Sequence, residues 1–193
     1  MAYPIVPAFA QFPNEAAIIG DLLGGYSQLE IDLMHCVHMV RDEFDTVLKR
    51  MFGIRGETRR INVAEKLGRQ PYHQVHLGAE FDAAIEAMRH CLTIRNHFAH
   101  CNWWNDNSGK LAFANLEEMG IEEQIFTGLD ALTTFHVDEP LLLSQEAYFL
   151  YTSQLFVWMN YEGRVRNTKL ASNPVQRPQQ VTRPALHLAL DTY

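Results

Sequence analysis

Residues 77–100 read LGAEFDAAIEAMRHCLTIRNHFAH. Apolar residues recur in this stretch at the three- and four-residue spacing that is typical of an amphipathic helix. At about 100° per residue, one face collects these apolar residues: Leu77, Phe81, Ala84, Ile85, Met88, Cys91, Leu92 and Ala99. The pattern therefore predicts one long helix over 77–100, with the other elements packed around it.

The end of this helix carries the strongest chemical signal in the sequence. Arg95 lies near the middle of the apolar face, where a guanidinium is costly unless it is paired and hydrogen-bonded. Asn96 and His100 are one helical turn apart on the edge of the same face, so a cation, an amide and an imidazole gather near one helix end. A purely structural role is the alternative, because Arg95 could tie two helices together and His100 could complement the helix dipole.

The composition is that of a globular chain of about one domain. Hydrophobic residues make up 47% of the 193 residues and charged residues 20%, which favours a packed core over disorder. The net charge of −7 argues against general adhesion to nucleic acid or to an anionic membrane, although a local basic patch could still bind. Three cysteines favour a reducing cytosol over a disulfide framework. No signal peptide or membrane span is recognisable, so we expect a cytoplasmic protein with no membrane contact.

The other patterns predict a mainly α fold, a four- to five-helix bundle with a small β-hairpin insertion after the helix at 77–100. The expected elements are helices at 18–40 (N-cap Asn14), 41–52 and 58–67 (closed by Gly68), a loop at 70–73, a hairpin around Asn105–Gly109, one or two short strands within 117–137, and a helix from Asp138 to about Arg164. We divide the chain into an extended N-terminal arm at 1–13, one helical domain at 14–165 with a β insertion at about 102–136, and a proline-containing tail of low order at 166–193.

Glu30 is the one charged residue within the apolar arc of the helix at 18–40. A carboxylate in such a place needs a partner, and Arg95 is the residue with the matching need. We therefore predict that Glu30 pairs with Arg95, directly or through Ser27 or Asn96. The alternative is that Glu30 lies at the edge of the apolar face and reaches solvent.

The segment from Lys49 to Arg69 is the one basic cluster in an acidic chain. Such a cluster can be the electrostatic footprint of a phosphate-binding surface, or only a solvated face. Two tryptophans after the long helix could stack on bases, or could instead pack the hairpin onto the bundle. The candidate RNA-binding residues are Arg55, Arg59, Arg60, Trp103 and Trp104.

The hexapeptide from Arg95 to His100 resembles the signature of the HEPN superfamily, in which an arginine followed by a polar residue precedes a histidine by about five positions near a helix end. The resemblance covers roughly residues 14–165, and the hexapeptide is its specific part. It implies a helical bundle that dimerises and brings two copies of the motif into one cleft. Many members are metal-independent endoribonucleases, often toxins or defence effectors.

The resemblance also implies roles for individual residues. Arg95 would be the electrostatic stabiliser, His100 the general acid/base and Asn96 the residue that orients them. Glu30 would hold Arg95, with Ser27 and His97 as supporting residues. RNA carries its own nucleophile, so no cofactor is expected, and the implied partners are RNA, a second copy of the chain and an antitoxin or regulatory protein. On a straight helix Arg95 and His100 point about 140° apart, so they converge only if the helix ends near Ala99 or a partner subunit supplies one of them.

Two other functions stay open at this stage. The family includes members that bind without cleaving, so the same motif fits a non-catalytic module for nucleotide, RNA or a protein partner. A metal-dependent helical-bundle enzyme is the other alternative, because His35 and His38, like His97 and His100, have a spacing that two metal ligands can use. No carboxylate stands at metal spacing beside them and no paired cysteine motif occurs, so we assign no metal-binding residue.

Overall fold

The computed structural model describes residues 5–121 and 133–189. In these ranges the protein is mainly helical with a small antiparallel sheet, which confirms the predicted fold class. The helices are α1 (Pro13–Arg41), α2 (Phe44–Phe52), α3 (Glu57–Gln74), α4 (Gly78–Ala99), α5 (Leu116–Ile121) and α6 (Glu139–Arg166). The strands are β1 (Cys101–Trp104), β2 (Leu111–Asn115) and β3 (Phe135–Val137), and a short 3-10 helix covers Pro7–Ala10.

The chain forms two compact units. The helical unit consists of Gly24–Leu92 and Ala147–Arg183. The sheet unit contains, among the described residues, the ranges 5–23, 93–121, 133–146 and 184–189. Helices α1, α4 and α6 each contribute residues to both units.

Helix α4 confirms the helix predicted over 77–100 to within one residue at each end. Its expected apolar face is buried from Leu77 to Leu92, whereas Ala99 is exposed. Burial also extends to residues that were not assigned to that face: Ala87, His90, Ile94, His97 and Phe98. The helix is therefore enclosed on more sides than an amphipathic surface helix would be.

Helix α3 is longer than predicted, because it continues through Gly68 and Pro71 to Gln74. The predicted stop at Gly68 and the predicted loop at 70–73 are therefore wrong. Gly68 has a packing role instead: a Cβ atom there would lie 2.4 Å from Cζ of Phe81. The close approach of α3 to this ring outweighs the local cost of a glycine inside a helix.

A hydrogen-bonded pair joins α1 to α3 in the core of the helical unit. The hydroxyl of Tyr72 donates to the carbonyl oxygen of Cys36 at 2.8 Å and also lies 2.8 Å from the Cys36 thiol. The Tyr72 ring stacks on Phe81 of α4, with 4.7 Å between ring centroids. Tyr72 is fully buried, and these contacts satisfy its hydroxyl in an otherwise apolar core.

The sheet unit contains the predicted hairpin. Strands β1 and β2 pair antiparallel, with Trp103 opposite Phe113, and β3 pairs with the other edge of β2. The turn before β2 has Asn107 and Gly109 at positive φ, as the Asn- and Gly-rich sequence favours. The short helix α5 directly after β2 was not predicted, whereas β3 confirms one of the strands expected within 117–137. The predicted strand residues Ile125 and Phe126 lie outside the described residues.

Both ends of the described chain pack against regular elements. The N-terminal arm is not wholly extended, because Pro7–Ala10 forms a 3-10 helix and Ala8 is buried. Residues 167–189 contain no helix or strand, in keeping with the predicted irregular tail, but Leu188 N donates to the carbonyl oxygen of His136 beside β3 at 2.9 Å. No helix in the described ranges is long and apolar enough to cross a membrane.

Candidate functional site

The HEPN-like hexapeptide lies where α4 ends and β1 begins, within the sheet unit. Helix α4 stops at Ala99, so His100 occupies the turn between helix and strand. This is the helix end that the sequence requires for Arg95 and His100 to approach each other. Arg95 is half-buried and donates from Nη1 to Oδ1 of the exposed Asn96 at 3.0 Å. This hydrogen bond joins two neighbouring side chains of the hexapeptide, and the orienting role of Asn96 stays a prediction.

His100 is exposed and faces a carboxylate that the sequence did not reveal. Its Nε2 atom lies 3.3 Å from Oε2 of Glu117, and about half of the imidazole is accessible, with 51% relative exposure of the side chain. A carboxylate beside an accessible imidazole can orient the ring by accepting a hydrogen bond from it.

Glu117 is held in place by the start of α5. Its backbone N–H donates to Oδ1 of Asn115 at 3.1 Å, which is a side-chain cap at the helix N-terminus. Asn115 is the last residue of β2 and is buried. The order asparagine, then leucine and glutamates, is a recognisable helix start, and it is the signal that could have identified Glu117 from the sequence.

His97 is a core residue, unlike its neighbour His100. It is 3% exposed, and its ring packs edge-on against Phe113 at 5.1 Å and lies 5.8 Å from the ring of His187. His97 and His100 therefore differ in environment although they are three residues apart. In the described ranges no group of three or more His, Cys, Asp and Glu side chains is placed to hold a metal ion.

Glu30 pairs with Arg60 and not with Arg95. Both carboxylate oxygens of Glu30 accept hydrogen bonds from Nη1 of Arg60, at 2.9 and 3.2 Å, within the helical unit. The predicted Glu30–Arg95 pair is therefore wrong. The reason is that Arg60 lies on the half-buried side of α3 and reaches Glu30 first, a contact that helical periodicity cannot reveal. Ser27 is exposed on α1.

The basic cluster contains both paired and unpaired cations. Arg60 is bound to Glu30, and its guanidinium lies 5.2 Å from the centroid of the Phe52 ring. Arg60 is therefore a structural residue more than a free phosphate ligand. Four exposed side chains of the cluster make no ion pair with any described residue: Arg50, Arg55, Arg59 and Lys66. A groove of about 600 Å³ follows the C-terminal half of α3, with Lys66, Arg69 and His73 in its lining.

Trp103 packs into an aromatic cluster of the sheet unit. Its ring lies 4.9 Å from Phe113, 5.6 Å from Phe98 and 5.7 Å from Phe9. Of the two roles that the sequence left open for Trp103, packing of the hairpin is therefore the observed one. Trp104 is half-buried at the end of β1.

The predicted site residues are divided between the two units. Arg95, Asn96 and His100 share one helix end, with Glu117 added, whereas Glu30, Ser27 and the basic residues belong to the helical unit. Comparison of the chain with protein families, with curated proteins and with solved structures found no match.

Proposed function

We propose that this protein is a metal-independent endoribonuclease of the HEPN type, with Arg95, Asn96 and His100 as its catalytic residues. The observation that carries the proposal is the exposed His100 imidazole, which faces Glu117 just beyond the end of the helix that bears Arg95. A histidine can move protons near neutral pH, and a fixed guanidinium can stabilise a negatively charged phosphorus centre.

The proposed reaction is a transesterification within RNA. A base removes the proton of a 2′-hydroxyl, and the 2′-oxygen attacks the adjacent phosphorus. The bond from phosphorus to the 5′-oxygen then breaks, and that oxygen accepts a proton. The products are a 2′,3′-cyclic phosphate and a 5′-hydroxyl end, so no oxidant, metal or added nucleophile is consumed. His100 serves one of the two proton transfers, and Arg95 stabilises the charge on the non-bridging oxygens.

Glu117 would act through His100 as a positioning residue. Its carboxylate is more than half exposed, so its electrostatic effect on the imidazole is weakened by solvent. We therefore expect Glu117→Gln to lower the cleavage rate by less than about tenfold, a smaller effect than loss of His100 itself.

RNA binding, dimer formation and a cytoplasmic location belong to the same proposal. Arg55, Arg59 and Lys66, which make no ion pair with a described residue, supply a local positive surface on a chain of net charge −7. Such a surface can hold RNA phosphates while the rest of the chain repels them.

The test is cleavage of a mixed panel of structured and single-stranded RNAs by purified protein in excess chelator. The variants are His100→Ala and Arg95→Ala, with His35→Ala and Arg183→Ala as controls that remove the same side-chain types from exposed positions outside the hexapeptide and the basic cluster. The proposal is supported if the cleavage rate falls about a hundredfold or more in both test variants. The control variants should keep the wild-type rate, and all variants should keep the wild-type circular dichroism spectrum.

Two results would overturn the proposal. One is equal cleavage by wild type and His100→Ala, since the imidazole would then have no catalytic role. The other is the absence of cyclic-phosphate ends on every RNA of the panel, in which case the hexapeptide would be a structural or binding element.

A further inference from the structure

A second cavity lies wholly within the helical unit, on the side of α4 and α6 that the irregular C-terminal segment covers. Its volume is about 490 Å³, which falls in the range of sites for small organic ligands. Ala83 and Ala87, one turn apart on α4, form its floor, and their short side chains leave the space open. Tyr148 and Tyr151 of α6 form one wall, and Gln180–Arg183 forms the other.

Several polar groups that line this cavity have no hydrogen-bond or ion-pair partner among the described residues. Most of Tyr148 is buried, but its hydroxyl is reached by solvent and makes no hydrogen bond with any residue that the structure describes. The same holds for the hydroxyls of Tyr151 and Thr182, and the Arg183 guanidinium makes no ion pair in the described ranges. These polar groups are therefore available to form hydrogen bonds with a ligand in the cavity.

Charge at the cavity comes from Arg183. Arg183 and Tyr148 line the same cavity. Burial raises the pKa of Tyr148, and the positive charge of Arg183 opposes that rise. One unpaired cation and three hydroxyl donors match the oxygen atoms of a carboxylate or phosphate. The alanine floor and the tyrosine rings match a flat apolar body.

The wall that carries Arg183 is anchored in the helical unit. The guanidinium of Arg177 lies 5.1 Å from the centroid of the Trp158 ring and 3.4 Å from Oε1 of Glu80. Asn173 Nδ2 also donates to the carbonyl oxygen of Trp158 at 3.2 Å. The segment is therefore pinned to α6 and α4 a few residues before the cavity, so that the site is largely preformed.

We propose that this cavity binds a small organic anion, a carboxylate or phosphate attached to a planar ring, with Arg183, Thr182 and the two tyrosine hydroxyls on the charged group and the ring above Ala83 and Ala87. The site uses none of the residues assigned to RNA cleavage. It therefore stands or falls independently of the proposed function.

The experiment uses the full chain and fluorescent probes of defined chemistry. Binding of 2-naphthoate and 2-naphthyl phosphate is measured by fluorescence and calorimetry, and 2-naphthalenemethanol serves as the uncharged probe of the same shape. For ligands of this size we expect a Kd of about 0.1–1 mM for the preferred anion and at least about tenfold weaker binding of the neutral probe. The two anions decide between carboxylate and phosphate.

Three variants locate the binding. Arg183→Gln removes the cation and is expected to weaken the anion about tenfold without affecting the neutral probe. Tyr148→Phe removes one hydroxyl and is expected to weaken the anion severalfold, and Ala83→Leu fills the floor and abolishes binding of all probes. Arg50→Gln is the matched control, because it removes an exposed arginine of the same unit that makes no ion pair in the described ranges and lies outside the cavity lining.

The proposal is wrong if no probe binds saturably up to about 10 mM, or if the neutral probe binds as tightly as both anions. Equal binding by wild type, Arg183→Gln and Ala83→Leu would also overturn it, since the probes would then bind elsewhere. Arg183 is exposed, so Arg183→Gln should not disturb folding. The binding data for this variant therefore decide the test even if Ala83→Leu perturbs folding.

Discussion

Glu30 and Arg60 form a partly buried ion pair in which one nitrogen of the arginine reaches both oxygens of the carboxylate, at 2.9 and 3.2 Å. The Glu30 side chain is 8% exposed and that of Arg60 is 24% exposed. The pair links α1 to α3 inside the helical unit. Burial at this level makes the pair sensitive to the loss of either partner.

We predict that Glu30→Ala lowers the free energy of unfolding by about 2 kcal/mol, because it leaves the Arg60 guanidinium in a half-buried place without its counter-charge. The measurement is urea unfolding followed by circular dichroism. Glu43→Ala is the matched control: it breaks a more exposed pair with Arg41 and should cost less than about 1 kcal/mol. Equal losses for the two variants would show that burial of the Glu30 pair has no energetic consequence.

Replacing either of two helical glycines with alanine should change the free energy of unfolding, in opposite directions at the two positions. At Gly68 the new Cβ would lie 2.4 Å from Cζ of the Phe81 ring, so Gly68→Ala should destabilise the protein by about 1–3 kcal/mol. At Gly24 nothing in the described ranges lies within 4 Å of the new atom, so Gly24→Ala should stabilise by about 0.5–1 kcal/mol through helix propensity. Thermal or urea unfolding of the two variants checks the sign of each change, and a stabilised Gly68→Ala would contradict the close packing of α3 on Phe81.

The three cysteines should differ in reactivity. Burial raises the pKa of Cys36 to about 12 and that of Cys91 to about 12, so neither forms the reactive thiolate at pH 8. Cys101 is only half-buried at the start of β1. Titration with a disulfide reagent should therefore modify one thiol quickly in the native protein and three in urea.

A Cys101→Ser variant is the control for this titration, because it should show no fast thiol in the native state. Fast modification of Cys36 or Cys91 in that variant would mean that the core of the helical unit opens readily.

Asp106 should make stability depend on pH in the acid range. Burial by itself would raise the pKa of Asp106. Hydrogen bonds from Ser108 and His136 outweigh this effect and lower the pKa to about 2. The Oδ2 atom lies 2.7 Å from Nε2 of His136. Because the folded pKa is below the unfolded value of about 3.9, the contribution of Asp106 is present above about pH 4 and is lost as the pH falls toward 2.

The free energy of unfolding of the wild type should be lower at pH 2.5 than at pH 6. We predict that Asp106→Asn makes this difference smaller by about 1 kcal/mol. The expected effect is modest because the side chain is partly exposed to solvent. Urea unfolding at a series of pH values measures this slope, and His136→Gln should remove part of it. A variant that keeps the full wild-type slope would show that Asp106 does not carry the effect.

The local features of the fold could be predicted from the sequence because short-range physics controls them. The apolar spacing in 77–100 specifies α4, and the Asn- and Gly-rich turn specifies the hairpin. Asp138 likewise caps α6 as predicted, with its Oδ1 atom accepting from Leu141 N at 3.0 Å. Each of these signals acts over a few residues and needs no partner from elsewhere in the chain.

The errors occurred where a distant residue decides the outcome. Gly68 and Pro71 are helix-stopping residues by themselves, but packing against Phe81 keeps α3 helical past both. Glu30 and Arg95 were predicted to pair because each is a charged residue on an apolar helix face. Glu30 instead pairs with Arg60 of α3. Periodicity shows which face a charge occupies, and it does not show which element packs against that face.

By itself, the amino-acid sequence determined the mainly helical class, the position of the long helix that ends with the hexapeptide from Arg95 to His100, and the hairpin that follows. Only the tertiary structure decided that His97 is buried while His100 is exposed beside Glu117, that Arg60 pairs with Glu30, and that the C-terminal segment lines a cavity beside α4 and α6. The physical reason is that secondary structure follows from interactions within a few residues, whereas partners, burial and cavities depend on which distant surfaces meet.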